Sequence, residues 1–243
     1  MSFRRVFCSG LCNWVAIVLA ASVLWAQSSS SSSSPPTTPS SKPLRKSASG
    51  GASPLDLGAV SNGVYRNSAF GFTCKIPAAW VLRTEELDAR DDVAPAKEDR
   101  AAVDQTAEGG CPRSGGCGRV LLAAFSRPPE ARAEDVNGSI VIAAESVAAY
   151  PGLKDPAQYF GPVSEVALTQ GFEVVEDPYA FVIGTRKLVR GDFQKDVGSR
   201  VMRQSTLVVL ARGYAVSFTF IGGTEDEVEE LVHGLSFGVP RAK

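Results

Sequence analysis

Residues 200–237 read RVMRQSTLVVLARGYAVSFTFIGGTEDEVEELVHGLSF, and this stretch decides the fold. The segments 200–211 and 214–221 are two β-branched runs separated by Arg212-Gly213, a two-residue connection of the kind that closes a tight hairpin. In the second run Tyr214, Val216, Phe218 and Phe220 fall on one face of a strand, and Ala215, Ser217 and Thr219 on the other. Thr224 with Glu227 three residues on forms a capping box, and Glu225 and Asp226 suit the positive end of a helix dipole. Val228, Leu231, Val232 and Leu235 then supply an apolar stripe at helical spacing. The stretch predicts a hairpin with a helix lying on it, and Leu235 and Phe237 locking down the chain end.

Working outward, Asp155-Pro156-Ala157-Gln158 is a second helix start: an acceptor for free amides, a proline suited to the first turn, and a glutamine to close the box. That helix should end at Gly171, with Gly161-Pro162 splitting or kinking it. Strand-like runs occupy 64–67, 71–76, 119–125, 139–147, 172–175, 180–184 and 187–192, and Trp80 with Val81 and Leu82 belongs on the core. Strands outnumber helices and adjoin through hairpins. The class is α+β: an antiparallel β-sheet flanked by helices.

At the other end Arg4 and Arg5 precede an apolar run, 11–26, that stops at Gln27 and the serine run 28–34. This is the order of a secretory signal peptide, residues 1–26, cut after Ala26. The run is shorter than the roughly 20 residues a membrane-crossing helix needs. Phe3 and Cys8-Ser9 do not continue a twin-arginine signal, and Cys8 and Cys12 precede the apolar stretch, which argues against lipid attachment. The Ser/Pro-rich segment 27–62 cannot bury enough apolar surface to order itself and reads as a disordered linker. One domain, 63–239, follows. The expected address is secreted or periplasmic, with no transmembrane helix in the mature chain.

The chain carries 25 Lys+Arg and 26 Asp+Glu. Five of the basic residues and one acid, Asp56, lie within 1–60, so the remainder holds 20 against 25. A domain of that sign has no electrostatic footprint for nucleic acid. Nine acids, from Glu85 to Glu108, make 84–118 an acidic loop with room for a helical turn or two. Loops this long are functional or disordered more often than not. Cys111 and Cys117 flank the flexible Pro112-Arg113-Ser114-Gly115-Gly116 and are expected to form a disulfide. Cys74 alternates with Phe72 and Ile76 and reads as an inert core residue.

Tyr65-x-Asn67-x-x-Phe70-Gly71-Phe72 followed by Pro77-x-x-Trp80 resembles the opening of the Mog1/PsbP-like fold, in particular its uncharacterised secreted bacterial members. The far end agrees: a strand, Arg212-Gly213-Tyr214, a strand ending Phe218-Thr219-Phe220, and a helix closing on Leu235-Ser236-Phe237. Such sequences often place glycine where this one has Ala79. The resemblance implies an α/β/α sandwich, a single layer of antiparallel strands with helices on both sides. It also implies a binding or assembly role, since members of the fold include a lumenal photosystem subunit, a small-GTPase binder and secretion adaptors. None of their functional residues maps onto this sequence, and a fold does not carry a function with it.

The search for chemistry yields no catalytic residues, no cofactor site and no metal site. His233, the sole histidine, lies about 150° from the centre of its helix's apolar stripe and should face solvent. No G-x-S-x-G elbow is present. The glycines between Gly109 and Gly118 lack the Gly-Lys-Ser/Thr ending of a phosphate loop. The acids lack the spacing of a calcium hand. Adjacent carboxylates (Glu85-Glu86, Asp91-Asp92, Glu98-Asp99, Glu176-Asp177, Glu229-Glu230) read as a solvated acidic surface. Arg186, Lys187, Arg190, Arg200 and Arg203 form either a basic patch on one sheet face or a set of pairs with nearby acids. The expectation is a non-catalytic extracytoplasmic binding or assembly module with a protein or envelope partner. The alternatives are a secreted hydrolase using carboxylates near the acidic loop 84–118, and a structural envelope protein held by an uncleaved N-terminal anchor.

Overall fold

The computed structural model describes residues 55–92, 118–131 and 135–238. The expected signal peptide, most of the linker, and the Cys111–Cys117 pair with most of the acidic loop lie outside the described residues. In chain order the elements are β1 (Ala59–Ser61), β2 (Val64–Asn67), β3 (Phe72–Lys75), β4 (Val81–Leu82), α1 (Thr84–Asp92), β5 (Gly118–Phe125) and β6 (Ser139–Ser146). Then follow α2 (Phe160–Thr169), β7 (Glu173–Ile183), β8 (Arg186–Val197), β9 (Arg200–Ala211), β10 (Tyr214–Gly222), α3 (Glu225–His233) and β11 (Leu235–Phe237). Among the described residues no helix is long and apolar enough to cross a membrane.

The α+β class, antiparallel strands and helices on both faces are as expected; the second sheet is an addition. Seven strands run in the order β4-β5-β6-β10-β9-β8-β7, and β1-β2-β3-β11 form a separate four-stranded sheet. The main core lies between them. Ile140, Ile142, Leu207, Val216, Phe218 and Phe220 of the large sheet meet Tyr65, Phe72 and Cys74 of the small one and Val228, Leu231 and Val232 of α3. Phe72 sits edge-on to Phe218 at 4.9 Å between ring centroids. On the opposite face α2 packs Phe160, Val163, Val166 and Ala167 against Phe193, Val208 and Ala215. Gly191 makes room for this: a Cβ there would stand 2.6 Å from the Phe160 ring.

Local devices behave as their residues demand. The β9–β10 turn has positive φ at both Arg212 and Gly213, and Tyr214 pairs with Ala211. Thr224 and Glu227 close their capping box, Glu227 N donating to Thr224 Oγ1 at 3.2 Å. Asp155 and Gln158 close theirs over a 3-10 turn, Pro156–Tyr159, and α2 continues from it. Thus the expected split falls just ahead of Gly161-Pro162. α1 is the helical part of the acidic segment; its Leu87 rests on Val120, Ala123 and Phe125, while Asp88 takes Val120 N and the Arg119 guanidinium.

Two boundaries differ from expectation. The ordered domain reaches back past Gly63 to at least Leu55. Tyr65 OH donates to Leu57 O at 2.7 Å, and the fully buried Asn67 donates through Nδ2 to Asp56 O at 2.8 Å. Gly58, at φ +70°, carries this fold-back, where a Cβ would lie 2.6 Å from Arg66 O. The runs 172–175 and 180–184 are one strand, β7, passing through Pro178 with two register shifts. Proline is tolerated because β7 is the last strand of its sheet, where a missing N–H breaks no ladder bond.

Candidate functional site

Alternation along β8 puts Arg190 and Asp192 on the same face, and the β8–β9 register sets Asp192 opposite Ser205. Arg190, only 6 % exposed, donates through Nε to both Asp192 oxygens at 3.0 Å and through Nη2 to Ser205 Oγ at 2.9 Å. The same Nη2 meets Glu229 of α3, Ser205 Oγ donates to Asp192, and Tyr179 OH donates to Asp192 Oδ2 at 3.0 Å. The guanidinium lies over the Phe181 ring, 5.2 Å from its centroid. Burial disfavours the Arg190 charge, but Glu229 and Asp192 outweigh that and hold its pKa above the ordinary value. Burial, followed by the Asp192 charge, pushes the Tyr179 phenol up to about 12.

This cluster floors a cavity of about 180 Å³ between β7, β8, β9 and α3. It joins, at Arg203 and Glu225, an open groove of about 500 Å³ lined by Asp135, Val136, Arg200, Gly223, Thr224 and Glu227. Six carboxylates (Asp135, Glu176, Asp192, Glu225, Glu227, Glu229) and three guanidiniums (Arg190, Arg200, Arg203) line the two together. The lining is polar with an excess of negative charge. Of these acids Asp192 and Glu229 both close on Arg190, and Asp135 pairs with Arg200.

The other face of the large sheet buries a lone carboxylate. Glu145, 3 % exposed, accepts from Tyr150 OH at 2.6 Å and from Tyr159 OH at 2.7 Å. Burial raises its pKa, and the two phenol bonds pull only partly the other way. Tyr159 is raised well above its ordinary value by the same burial and by the Glu145 charge. These bonds tie the residues after β6 to the strand they leave.

The residues singled out from sequence are scattered. Cys74 is fully buried, and desolvation lifts its thiol to about 12. His233 is exposed, and its Nδ1 donates to Glu229 O of its own helix at 2.7 Å. Glu86 pairs with Arg83 at 2.8 Å, Glu176 and Asp177 stand exposed on β7, and Glu229 goes to Arg190. Of the basic cluster, Arg190 and Arg200 pair with acids, the latter with Asp135 at 2.8 Å, and Arg186 lies over Phe237. The pairing account of that cluster therefore holds for these two. Among the described residues no group of three His, Cys, Asp or Glu could hold a metal ion. Glu145 escaped the sequence reading, being absorbed into a strand run; the tyrosines five and fourteen residues on were the available signal.

No protein-family model matches the chain, and no curated protein matches it. It is similar to the solved structure of PsbP (CyanoP) from Synechocystis sp. PCC 6803, at 14% identity over 74% of this chain and 96% of that one, with TM-score 0.40. It is also similar to the Ran-binding protein Mog1p of Saccharomyces cerevisiae (13% identity, 75% and 86% covered, TM-score 0.35). A third is LpqN of Mycobacterium tuberculosis, a protein involved in cell envelope biogenesis (14% identity, 69% and 83% covered, TM-score 0.34). The first two bear the names of the fold that the end motifs resemble. No residue role is taken from any of them.

Proposed function

We propose that this chain is a non-catalytic, extracytoplasmic binding or assembly module, and that the groove between β9 and the start of α3 receives a polypeptide segment of basic character. The observation that carries this reading is the groove's lining: open, polar, net negative, and floored by a charge cluster in which one guanidinium is shared by two carboxylates. Charges locked together in that way hold a shape, and Asp192 and Glu229 are both taken up by Arg190. Electrostatic complementarity then selects the partner's sign and register more than it sets raw affinity. The extracytoplasmic address rests on Arg4, Arg5 and the apolar run that ends at Ala26.

A photo-activated phenylalanine analogue at Arg203, compared with one at the distant Ser61, tests the groove. A defined polypeptide adduct from the first position alone is expected, and its yield should fall in Glu225→Arg. Specific turnover of ester, glycoside or peptide substrates by the purified chain would overturn the non-catalytic reading. Mass spectrometry should find a mature chain beginning near Gln27.

A further inference from the structure

Between Ser146 at the end of β6 and Phe160 at the start of α2 the chain makes two 3-10 turns, Val147–Ala149 and Pro156–Tyr159. Gly152, at φ +101° with open space around it, supplies the bend between them. Among the described side chains of this segment Tyr150 and Tyr159 alone are buried; Val147 and Leu153 pack at the margin of the α2-side cluster. Both tyrosines donate to Glu145, one to each carboxylate oxygen. Two backbone bonds close inside the segment, Tyr150 N donating to Val147 O at 2.9 Å and Leu153 N to Tyr150 O at 3.0 Å. Its near end is fixed by Val147 N donating to Gly213 O at 2.9 Å, and its far end by the seat of Phe160 at Gly191. The middle is held to the sheet through a single carboxyl.

No ion pair among the described residues includes Glu145. Gly118 of β5 and Ala215 of β10 flank it in the sheet, and α2, β8 and β9 give that layer Phe160, Val163, Phe193 and Val208. The charged groups of these elements are turned elsewhere. Arg119 donates to Asp88 and Lys195 to Gln170 O, while Lys154, Asp155, Glu165 and Arg212 are exposed. The two phenols are thus the titratable groups that face Glu145, and burial keeps both protonated. An ionised Glu145 has two hydrogen bonds and no counter-charge, a strain that contact with water relieves. We infer that the segment 147–159 is an acid-closed flap, lying on the sheet while Glu145 carries its proton and lifting its tyrosines away as that proton passes to solvent. The sign follows from burial. Folding raises the carboxyl above its ordinary 4.5, so the closed form is fully favoured below that value and loses ground as pH climbs toward the folded pKa.

Hydrogen exchange of the full chain from about pH 4 to 8, corrected for the intrinsic rate and repeated in low urea, tests this. The Tyr150 and Leu153 amides should lose protection by about tenfold or more as pH rises. Their exchange should be insensitive to urea, as a local opening requires, whereas that of Phe218 in the central strand β10 follows urea as global unfolding does. Glu145→Gln keeps the shape without the charge, its amide donating to one phenol oxygen and accepting from the other, and should hold protection flat across the range. Tyr150→Phe removes a donor that stabilises the carboxylate, so in that variant the loss, read at Leu153, should continue to higher pH. Protection that does not fall with pH overturns the inference. So does exchange at Tyr150 and Leu153 with the urea dependence of Phe218, or a fall that persists in Glu145→Gln.

Discussion

The two faces of the large sheet bury charge in opposite ways. On the α3 side a guanidinium is enclosed by two carboxylates and a hydroxyl, a phenol donates to one of those carboxylates, and every strong charge meets its opposite. On the α2 side Glu145 is enclosed by two phenols. The first arrangement keeps its charges; the second opposes its own. A buried ion cluster is costly to break because a survivor is left uncompensated, whereas a buried lone acid is costly to keep ionised. The difference makes one face a rigid electrostatic fixture and the other a point of pH sensitivity.

The largest expected effect comes from removing the guanidinium. Arg190→Met should destabilise by about 3–5 kcal/mol at neutral pH, because Asp192 and Glu229 are left facing each other; urea unfolding reads it, and acidification should recover part of the loss. On the opposite face, Tyr159→Phe should cost about 1–3 kcal/mol by leaving one Glu145 oxygen without its donor. Glu145→Gln tests the sign of the comparison. Because folding raises this carboxyl above its ordinary 4.5, the native state favours the protonated form. Stability from this group is therefore full below about that value and declines as pH rises toward the folded pKa. A urea midpoint series from acid to neutral pH should show the wild type losing ground to Glu145→Gln as pH increases; a variant that tracks the wild type would erase the contrast between the faces. Ser205→Ala, which removes one link from a cluster that retains its ion pairs, should cost only about 1 kcal/mol.

How much of this was readable depends on the distance each feature spans in sequence. The β9–β10 hairpin and α3 follow from devices that act within four residues: Arg212-Gly213 and the Thr224/Glu227 box. In sequence β7 looks like two pieces because Asp177 and Pro178 interrupt its pattern, and only an edge position, a property of the assembled sheet, makes that tolerable. Leu55–Gly58 belong to the domain although local pattern marks its start near Gly63, because Tyr65 and Asn67 reach back to them with their side chains. The candidate site was half legible. Arg190 and Asp192 share a strand face by simple alternation, but Glu229 arrives from a helix whose docking no local pattern specifies. Ala79 is a case where sequence noticed more than it explained: its φ is +67°, the left-handed region that a Cβ disfavours. Ala79→Gly should stabilise the chain by about 0.5–1 kcal/mol, the smallest effect expected, readable as a raised melting temperature.

The small sheet is completed by pairing Leu235 with Cys74 and Phe237 with Phe72. Contacts so remote along the chain are the slow ones to form, since an extended loop must close before they contribute anything. A polypeptide delivered amino end first can assemble β2 and β3 early, yet must wait for Leu235–Phe237 before that layer acquires its last strand. Until then the aromatic floor around Phe72 and Phe218 stays open to water, which makes the interval before β11 arrives the period of greatest exposure to proteases and to neighbouring chains.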